Sequence, residues 1–400
     1  MPFNKLNSLD TDKPRKILYI INHIDWFWSH RYALAKDVQQ TGCKVFVATS
    51  NARRDSSLSR EGFIPLDLPE YGAGASPVSM FRTILQIRKH IRKVQPDLVH
   101  GITIKYAFMT GLATLFQNVN TKKLFTIAGL GYVFSGSTIK SELLRLSIMP
   151  FMKLAFFRKN TKLIFQNSDD QKIFNKAGLC RMEDSNLIPG SGVSIRKFVF
   201  SHEPETMEPV VFMPTRLVRE KGVAVFAEAA KIVSDKGYKA RFILGGGLDK
   251  YNPNALSETE MNKILSDTPV TWRGKIKDMP RMFRRANMIV YPSYYKEGVP
   301  KVLLEAAASG RAIITTDHPG CRDVVENGKN GLLVPVKDAQ ATANAIIDLL
   351  KAPEMRKVMG RHSREKAVSE FDVHLINQKT LKIYEDQLTE DLSSQTLVSA

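Results

Sequence analysis

Short apolar segments alternate along the chain with segments of helical character, and this alternation constrains the fold more than any other feature. The clearest example is a buried strand pattern at 288–293, followed by a short helix pattern at 300–309 and a second strand pattern at 312–316. Apolar strands separated by helices are typical of a parallel sheet that helices cover on both faces. The sequence therefore predicts an α/β fold, in which ligands bind at the carboxyl ends of the strands.

The alternation runs through the chain as two series. The first begins with strand patterns at 16–21 and 44–49, and the second begins with a strand pattern at 210–213. Because 400 residues exceed one comfortable hydrophobic core, we expect two domains. The predicted division is an N-terminal domain at 1–195, a linker at 196–208, a C-terminal domain at 209–370, and a final helix with a polar tail at 371–400.

Positive charge is concentrated in the first half of the chain. Residues 1–200 hold 29 Lys and Arg against 14 Asp and Glu, a net charge of +15 out of a total of +18. We expect this half to meet an anionic partner. An anionic membrane surface fits better than nucleic acid, because segments 139–159 and 79–93 are both apolar and cationic and no nucleic-acid-binding motif is present. Core-packed helices with solvated cationic faces are the alternative interpretation.

Composition also bears on location and on metal binding. No apolar run approaches the roughly 18 residues that span a bilayer, and no signal-peptide pattern is present, so we expect a cytoplasmic protein at the inner face of the membrane. Cys43, Cys180 and Cys321 are odd in number and widely spaced, which favours reduced thiols. The only Asp-x-Asp motif, at 10–12, lies in a polar tail, so the sequence predicts neither a metal site nor a cofactor.

Two glutamates bracket the start of the short predicted helix at 300–309. Glu297 precedes the helix and Glu305 lies within it, while Pro300 suits its first turn and Gly310 suits the left-handed residue after its end. A helix N-terminus attracts anions such as a diphosphate, and each carboxylate can accept hydrogen bonds from the vicinal hydroxyls of a sugar or ribose. The pattern favours a sugar-nucleotide site; one solvated and one capping acid is the alternative.

Two cations follow the first strand of the second domain, where the chain turns into a helix. Arg216 offers a planar guanidinium and Lys221 a point charge, and together they suit the two phosphates of a leaving nucleoside diphosphate. Fixed cations of this kind stabilise the charge that grows on a leaving group. After the next strand, a triple glycine that includes Gly246 is expected to leave backbone N–H groups open to a ligand.

From Glu297 through Gly320 to the segment 327–334, the sequence resembles the donor-binding half of family 4 glycosyltransferases. The resemblance covers most of residues 208–370 and implies the GT-B fold, two doubly wound Rossmann-like domains facing across a cleft. It implies a nucleotide-sugar on the second domain and an acceptor on the first. The residues that it implies at the donor are Arg216, Lys221, Gly246, Ile276, Glu297, Gly298, Val299, Pro300 and Glu305. Of these, Arg216, Lys221 and Glu297 are the predicted catalytic residues.

The loop after the first strand is the expected acceptor side. Its pattern from Phe27 to Arg31 resembles family members that lengthen lipid-linked oligosaccharides, with Trp26 or Trp28 available to stack on a sugar or meet lipid. A core role for Phe27 and Trp28 is the alternative. The predicted acceptor-side residues are Asp25, His30, Arg31, His100, Lys105 and Gly129. Ala128 stands where a His is commoner in the family, so no protein general base is expected in that loop.

The resemblance implies a retaining, metal-independent hexosyltransferase. Its expected donor is a UDP-N-acetylhexosamine or UDP-hexose, and its expected acceptor is a polyprenyl-diphosphate-linked glycan of surface polysaccharide or glycan biosynthesis. In the front-face route of the family, the departing phosphate oxygen takes the acceptor proton. Two alternatives are a glycoside hydrolase that uses Glu297 and Glu305 as acid and nucleophile, and a non-enzymatic basic protein that binds membranes or nucleic acid.

Overall fold

The computed structural model describes residues 13–70, 76–115, 121–130, 139–249, 252 and 254–396, with backbone alone for 139–144 and 390–396. The Asp-x-Asp motif at 10–12 lies outside these residues, as do the residues that follow the predicted acceptor-side loop at Gly129, from 131 to 138. The chain forms two compact units, residues 1–191 with 376–400, and residues 192–375. None of the helices in the described ranges has the length and apolar character needed to cross a bilayer.

The described part of the first unit is built on a seven-stranded parallel sheet of order β3-β2-β1-β4-β5-β6-β7. Its strands are β1 (Lys16–Ile20), β2 (Lys44–Ser50), β3 (Ile64–Leu68), β4 (Leu98–Ile102), β5 (Lys122–Ile127), β6 (Thr161–Phe165) and β7 (Ser185–Leu187). The central strand β4 is buried along its whole length, as expected for a sheet covered on both faces. The strand order reverses between β1 and β4, which makes their carboxyl ends the topological switch point.

Helices on both faces of this sheet supply the rest of its core. They are α1 (Ile24–His30), α2 (Tyr32–Gln40), α3 (Ser56–Arg60), α4 (Pro77–Val94), α5 (Ile104–Ala113), α6 (Ile139–Phe156) and α7 (Ser168–Lys176). The sequence predicts one helix over 29–40, whereas the structure has two. The His23 side chain accepts the N–H of Asp25 and so starts α1 early, and the backbone leaves helical geometry at Arg31 (φ −129°).

The second unit contains, in its described residues, a six-stranded parallel sheet of order β10-β9-β8-β11-β12-β13. Its strands are β8 (Val210–Pro214), β9 (Arg241–Gly245), β10 (Val270–Trp272), β11 (Met288–Tyr291), β12 (Ala312–Thr316) and β13 (Gly331–Val334). Its helices are α8 (Val223–Asp235), α9 (Glu258–Leu265), α10 (Met279–Arg285), α11 (Lys301–Ala308), α12 (Ala339–Lys351) and α13 (Pro353–Glu370). Here the order reverses between β8 and β11. Both sheets confirm the predicted α/β class with doubly wound parallel strands.

The segment that connects the two series packs into the second unit. Phe198 is buried in its core, and Glu203 forms a buried ion pair with Arg356 at 2.7 Å. Phe198 and Glu203 both lie within the stretch 196–208, and the two compact units divide after Ser191. The last helix, α14 (Val373–Thr396), returns to the first unit, where Leu381 and Tyr384 are buried.

Candidate functional site

The switch point of the second unit brings two predicted residues together. Lys221 ends a short 3-10 helix, Arg219–Lys221, in the connection after β8, and Glu297 lies in the connection after β11. Because β8 and β11 are neighbours in the sheet, both connections leave its carboxyl edge side by side. The sequence separates these residues by 76 positions, and the fold makes them an ion pair.

A buried tyrosine completes this pair. The Lys221 ammonium donates to the Tyr291 hydroxyl at 2.7 Å and to Oε1 of Glu297, and the Tyr291 hydroxyl donates to the same Oε1 atom at 2.9 Å. The ammonium also lies 4.8 Å from the centre of the Tyr295 ring. The lysine side chain is 3% exposed, whereas that of Glu297 is 20% exposed, so the carboxylate is the member of the pair that faces solvent.

Burial sets the protonation of this group. Desolvation lowers the pKa of Lys221, the charge of Glu297 opposes that shift, and the charge of Arg216 adds to it. Burial and the Glu297 charge raise the pKa of Tyr291 well above its usual range, so the phenol keeps its proton. The Lys221 and Glu297 charges thus lie next to the neutral Tyr291 hydroxyl, which accepts a hydrogen bond from the lysine and donates one to the glutamate.

Arg216 has a carboxylate partner of its own. Its Nη1 atom lies 3.0 Å from Oδ2 of Asp249, which follows β9, and 44% of the arginine side chain is exposed. An exposed ion pair of this kind contributes little to stability. The guanidinium therefore stays accessible at the same sheet edge as Lys221, where a planar fork suits a phosphate.

The triple glycine after β9 differs from the sequence prediction. The N–H of Gly246 donates to the carbonyl of Gly274 at 2.8 Å, so the expectation of an open N–H is wrong at this position. A Cβ at Gly246 would overlap the Thr215 carbonyl, because the connections after β8 and β9 pack against each other here. The Ile276 side chain packs against the first of the three glycines, since a Cβ at Gly245 would meet it at 2.8 Å.

Two further glycines fix the loop that carries Glu297. Gly320 has φ +84°, and a Cβ there would overlap the carbonyl of Gly298. Gly222 has φ +80°, and a Cβ there would overlap the carbonyl of Pro292. Glycine permits both the positive φ and the close approach of one backbone to another. The connections after β8, β11 and β12 are therefore locked together around the Lys221–Glu297 pair.

The helix predicted at 300–309 is α11, Lys301–Ala308, and Pro300 is its N-cap residue. Proline has no side-chain group that could cap the helix, and Gly310 has the predicted left-handed backbone at φ +73°. Gly298 and Val299 lead into this helix, and Val299 is buried. The positive end of the helix dipole thus lies next to the Glu297 loop, a setting that suits an anionic group.

Glu305 lies within α11 and is mostly enclosed. Burial raises the pKa of its carboxyl to about 7, and the charges of Lys301 and Lys197 oppose that shift. In the described part of the chain, no side chain donates a hydrogen bond to this carboxylate. An enclosed acid without a donor is unfavourable for folding, which points to a role in binding.

In the first unit, two of the predicted acceptor-side residues lie in the core. His100 is fully buried in β4, and its ring nitrogens lie 2.7 Å from the Tyr384 and Thr126 hydroxyls. Burial lowers the pKa of His100 well below its usual range. Arg31 is also buried, and its Nε atom has no hydrogen-bond partner within the residues described. These placements favour a structural role for His100, because both of its nitrogens are used.

The other predicted residues of the first unit lie closer to solvent. Asp25 is exposed, and the His30 ring stacks on Trp26 with 4.7 Å between ring centres. Trp28 donates to Asp55 at 2.7 Å and packs against the core with buried Phe27, as the alternative interpretation predicts. Burial lowers the pKa of Lys105, near the start of α5, to about 8.

Backbone strain marks the same edge of this sheet. Thr103, between β4 and α5, has φ +70°, a value that a β-branched residue rarely adopts. Gly129 follows β5 with φ +102°. Strain at a residue such as Thr103 gathers at functional sites, so the carboxyl end of β4 is a candidate for binding a ligand.

Sequence reasoning missed Tyr291, Tyr295 and Asp249. A tyrosine at the last position of a buried strand is a usable signal, since that position reaches the ligand-binding edge of a parallel sheet. Asp249 gave no such signal, because its partner Arg216 is distant in sequence. Across the residues that the structure describes, His, Cys, Asp and Glu side chains do not gather in groups of three that would hold a metal ion.

Two family models match the chain, one for each unit. The model described as "Glycosyl transferase 4-like" matches residues 16–167, and the model described as "Glycosyl transferases group 1" matches residues 194–366. One relative is the N,N'-diacetylbacillosaminyl-diphospho-undecaprenol alpha-1,3-N-acetylgalactosaminyltransferase of Campylobacter jejuni. It is 27% identical over 89% of this chain and 94% of its own length. Another is the UDP-Gal:alpha-D-GlcNAc-diphosphoundecaprenol alpha-1,3-galactosyltransferase of Escherichia coli, 22% identical over 80% and 83%.

Solved structures share the fold. HepE of Anabaena, in complex with UDP-glucose, matches 95% of this chain and 99% of its own with a TM-score of 0.71 and 17% identity. The sucrose-phosphate synthase of Thermosynechococcus elongatus matches 94% and 100% with a TM-score of 0.75 and 20% identity. Both family models and the two relatives are glycosyltransferases, which favours a transferase over the two alternatives, a glycoside hydrolase and a non-enzymatic binding protein. From the two family models and the two doubly wound sheets, we conclude that the chain belongs to the family 4 glycosyltransferases of GT-B fold.

Proposed function

We propose that the second unit binds a UDP-sugar at the carboxyl ends of β8 and β11. The observation that carries this proposal is the convergence of Arg216 and Lys221 with Glu297 at the switch point of the sheet. Two cations beside a helix N-terminus suit a diphosphate, and one acid before that helix and one within it suit sugar and ribose hydroxyls. The relative that uses UDP-Gal and the related structure with UDP-glucose favour uridine as the base.

In the proposed reaction, the acceptor oxygen forms a bond to C1 of the sugar while the bond from C1 to the diphosphate breaks. Arg216 and Lys221 stabilise the negative charge that grows on the leaving UDP. Glu297 accepts hydrogen bonds from sugar hydroxyls, and Glu305 accepts them from the ribose. The acceptor attacks C1 from the face that the diphosphate leaves, so the sugar keeps its anomeric configuration. The acceptor proton passes to the departing phosphate oxygen, so no protein base is needed. We propose that fixed cations make a metal ion unnecessary.

The proposed acceptor is a glycan linked to a polyprenyl diphosphate, in the assembly of a surface polysaccharide or glycan. Two relatives carry undecaprenyl diphosphate in their names, and they span most of this chain. Within the first unit, the exposed Asp25 and the stacked pair of Trp26 and His30 lie after β1, at its switch point. An aromatic surface beside polar groups suits a sugar ring.

We also propose that the first unit docks on an anionic membrane surface. Helices α4 and α6 both pack against α5, and each exposes large apolar side chains. These are Val78, Phe81 and Leu85 on α4, and Leu146, Phe151 and Leu154 on α6, with Phe157 just after it. Lys153 on α6 and Arg158 and Lys159 just after it are also exposed, so apolar insertion and attraction to anionic lipid act at one surface.

Calorimetric titration of UDP, GDP and ADP, followed by a transfer assay, tests the proposal. We expect UDP to bind in preference to the other two. A UDP-N-acetylhexosamine or UDP-hexose should then pass its sugar, with retained configuration and in the presence of EDTA, to an undecaprenyl-diphosphate glycan. Hydrolysis of free glycosides without nucleotide binding would overturn the proposed function, and loss of turnover in EDTA with recovery in Mg²⁺ would overturn its metal-independent form.

A further inference from the structure

Tyr291 is the one side chain that touches both members of the Lys221–Glu297 pair through a single atom, among the residues described. Its hydroxyl accepts from the lysine at 2.7 Å and donates to Oε1 of Glu297 at 2.9 Å. The ring is 2% exposed and belongs to β11, so the strand fixes its position. Because the ring is fixed, these two hydrogen bonds also fix where the Lys221 ammonium and the Glu297 carboxylate lie.

The surroundings leave few other means of holding the ammonium. Its described charged, titratable and aromatic neighbours are Glu297, Arg216, Cys321, Tyr291 and Tyr295. Burial raises the pKa of Cys321 to about 12, so this thiol stays neutral, and Arg216 repels the ammonium. The charge on Lys221 is therefore supported by Glu297, by the Tyr295 ring and by the Tyr291 oxygen.

We propose that Tyr291 is a positioning residue for glycosyl transfer, which holds the Lys221 ammonium toward the donor diphosphate and the Glu297 carboxylate toward the donor sugar. The proposal rests on the proposed function, since it assigns Tyr291 to the same donor site. When a diphosphate attracts Lys221, the hydroxyl still accepts from the ammonium, and it still donates to Glu297. Tyr291 thus keeps both groups aligned without contacting the reacting atoms.

Removal of the hydroxyl has a measurable consequence for pH dependence. Burial already lowers the pKa of Lys221, and loss of an accepting oxygen lowers it further. Activity that needs a charged Lys221 is present below the pKa of this group and is lost as the pH rises through it. The alkaline limb of the kcat profile should therefore move to lower pH in Tyr291→Phe. A residue that only packs the core would leave this limb unmoved.

The test compares Tyr291→Phe with the wild-type enzyme in UDP-sugar turnover from pH 6 to pH 10. We expect kcat to fall about 10- to 100-fold, the donor KM to change by less than about threefold, and the alkaline limb to move down by about one pH unit. The matched control is Tyr294→Phe, because the Tyr294 hydroxyl donates to the backbone carbonyl of Arg219 at 3.2 Å. This control should keep the wild-type rate and profile.

Each result decides one point. A wild-type enzyme without UDP-sugar turnover would refute the proposed function, whereas an active wild type with an unchanged profile in Tyr291→Phe would refute the role of Tyr291 alone. Near-UV circular dichroism checks that the variant folds. If it does not, 3-fluorotyrosine placed at position 291 retains the ring and makes the hydroxyl a weaker acceptor. The alkaline limb should then move in the same direction by a smaller amount, and an unmoved limb would overturn the proposal.

Discussion

Glu305 is a residue at which binding and stability have opposite requirements. Its carboxyl is enclosed within α11, and burial raises its pKa to about 7 from an ordinary value of 4.5. The folded state thus holds this proton more tightly than the unfolded chain does. The resulting stabilisation is present at low pH and is lost as the pH rises from about 4.5 to about 7. Above that window the protein keeps an unfavourable buried charge.

Glu305→Gln should therefore stabilise the protein at pH 8 by roughly 1–3 kcal/mol and leave its stability nearly unchanged at pH 4, since each pKa unit corresponds to about 1.4 kcal/mol. The same change should weaken UDP binding roughly tenfold, because it removes a charged hydrogen-bond acceptor. Urea denaturation at the two pH values and titration with UDP measure the two effects. A variant less stable than the wild type at pH 8 would contradict the burial argument.

Some site residues can be predicted from the sequence and others cannot. Glu297 and Glu305 stand out because their spacing brackets a helix start, and Lys221 stands out because a cation follows a strand. Tyr291 stands near the end of a predicted strand, but its partner Lys221 is distant in sequence, so only the fold shows that the two residues meet. The burial of His100 depends on a contact with Tyr384 of α14, and Arg31 lies near the same tyrosine and Tyr19. These contacts join distant parts of the chain, which no local pattern encodes.

At the scale of elements, glycines hold the donor loops together. Gly320 and Gly328 both have positive φ, at +84° and +79°, but their surroundings differ. A Cβ at Gly320 would overlap the carbonyl of Gly298, next to Glu297, whereas a Cβ at Gly328 would meet nothing within 4 Å. An alanine at Gly328 thus reports only the free-energy cost of the left-handed backbone, whereas an alanine at Gly320 adds the cost of moving the Glu297 loop.

Gly328→Ala should cost about 1–2 kcal/mol of unfolding free energy, the strain of a left-handed alanine, and should leave UDP binding unchanged. Gly320→Ala should cost roughly 3 kcal/mol or more and should also weaken UDP binding, because the backbone at 297–298 has to move. Thermal unfolding and UDP titration of both variants check this difference. Equal effects of the two substitutions would mean that the contact between Gly320 and the loop has no role.

Element boundaries show where local sequence signals are reliable. The helix α11 ends where Gly310 predicts, because a glycine in left-handed conformation is a strong stop signal. The sequence does not predict the break between α1 and α2, since the apolar spacing continues through Arg31, where the backbone leaves helical geometry (φ −129°).

At the scale of the whole molecule, the α/β class follows from the alternation of strands and helices, and the charge distribution suggests a partner. Strand order within each sheet does not follow from the sequence, because it depends on contacts between strands that are distant along the chain. Most of the excess of +15 in residues 1–200 lies in residues 1–191, which belong to the unit that exposes apolar side chains on α4 and α6.

Replacement of Arg145, Lys153, Arg158 and Lys159 by Gln should reduce binding to phosphatidylglycerol-rich vesicles, since each cation near such a surface contributes about 1 kcal/mol. Activity on a short water-soluble acceptor should persist. Vesicle flotation at low and high salt measures the binding. The matched control replaces Lys231, Lys236, Lys239 and Lys263 of the second unit, which gives the same net charge. Equal loss in both variants, or equal binding to neutral vesicles, would contradict a docking surface on α6.

The central claim is that cations after β8 stabilise the leaving diphosphate, and steady-state kinetics of Arg216→Ala test it most directly. The control is Arg219→Ala, which removes a neighbouring exposed arginine that pairs with Glu260. We predict that Arg216→Ala lowers kcat by roughly two to three orders of magnitude and raises the donor KM by less, because the interaction strengthens as charge develops. The control should stay near the wild-type values. An unchanged kcat in Arg216→Ala, with or without a higher KM, would contradict the claim.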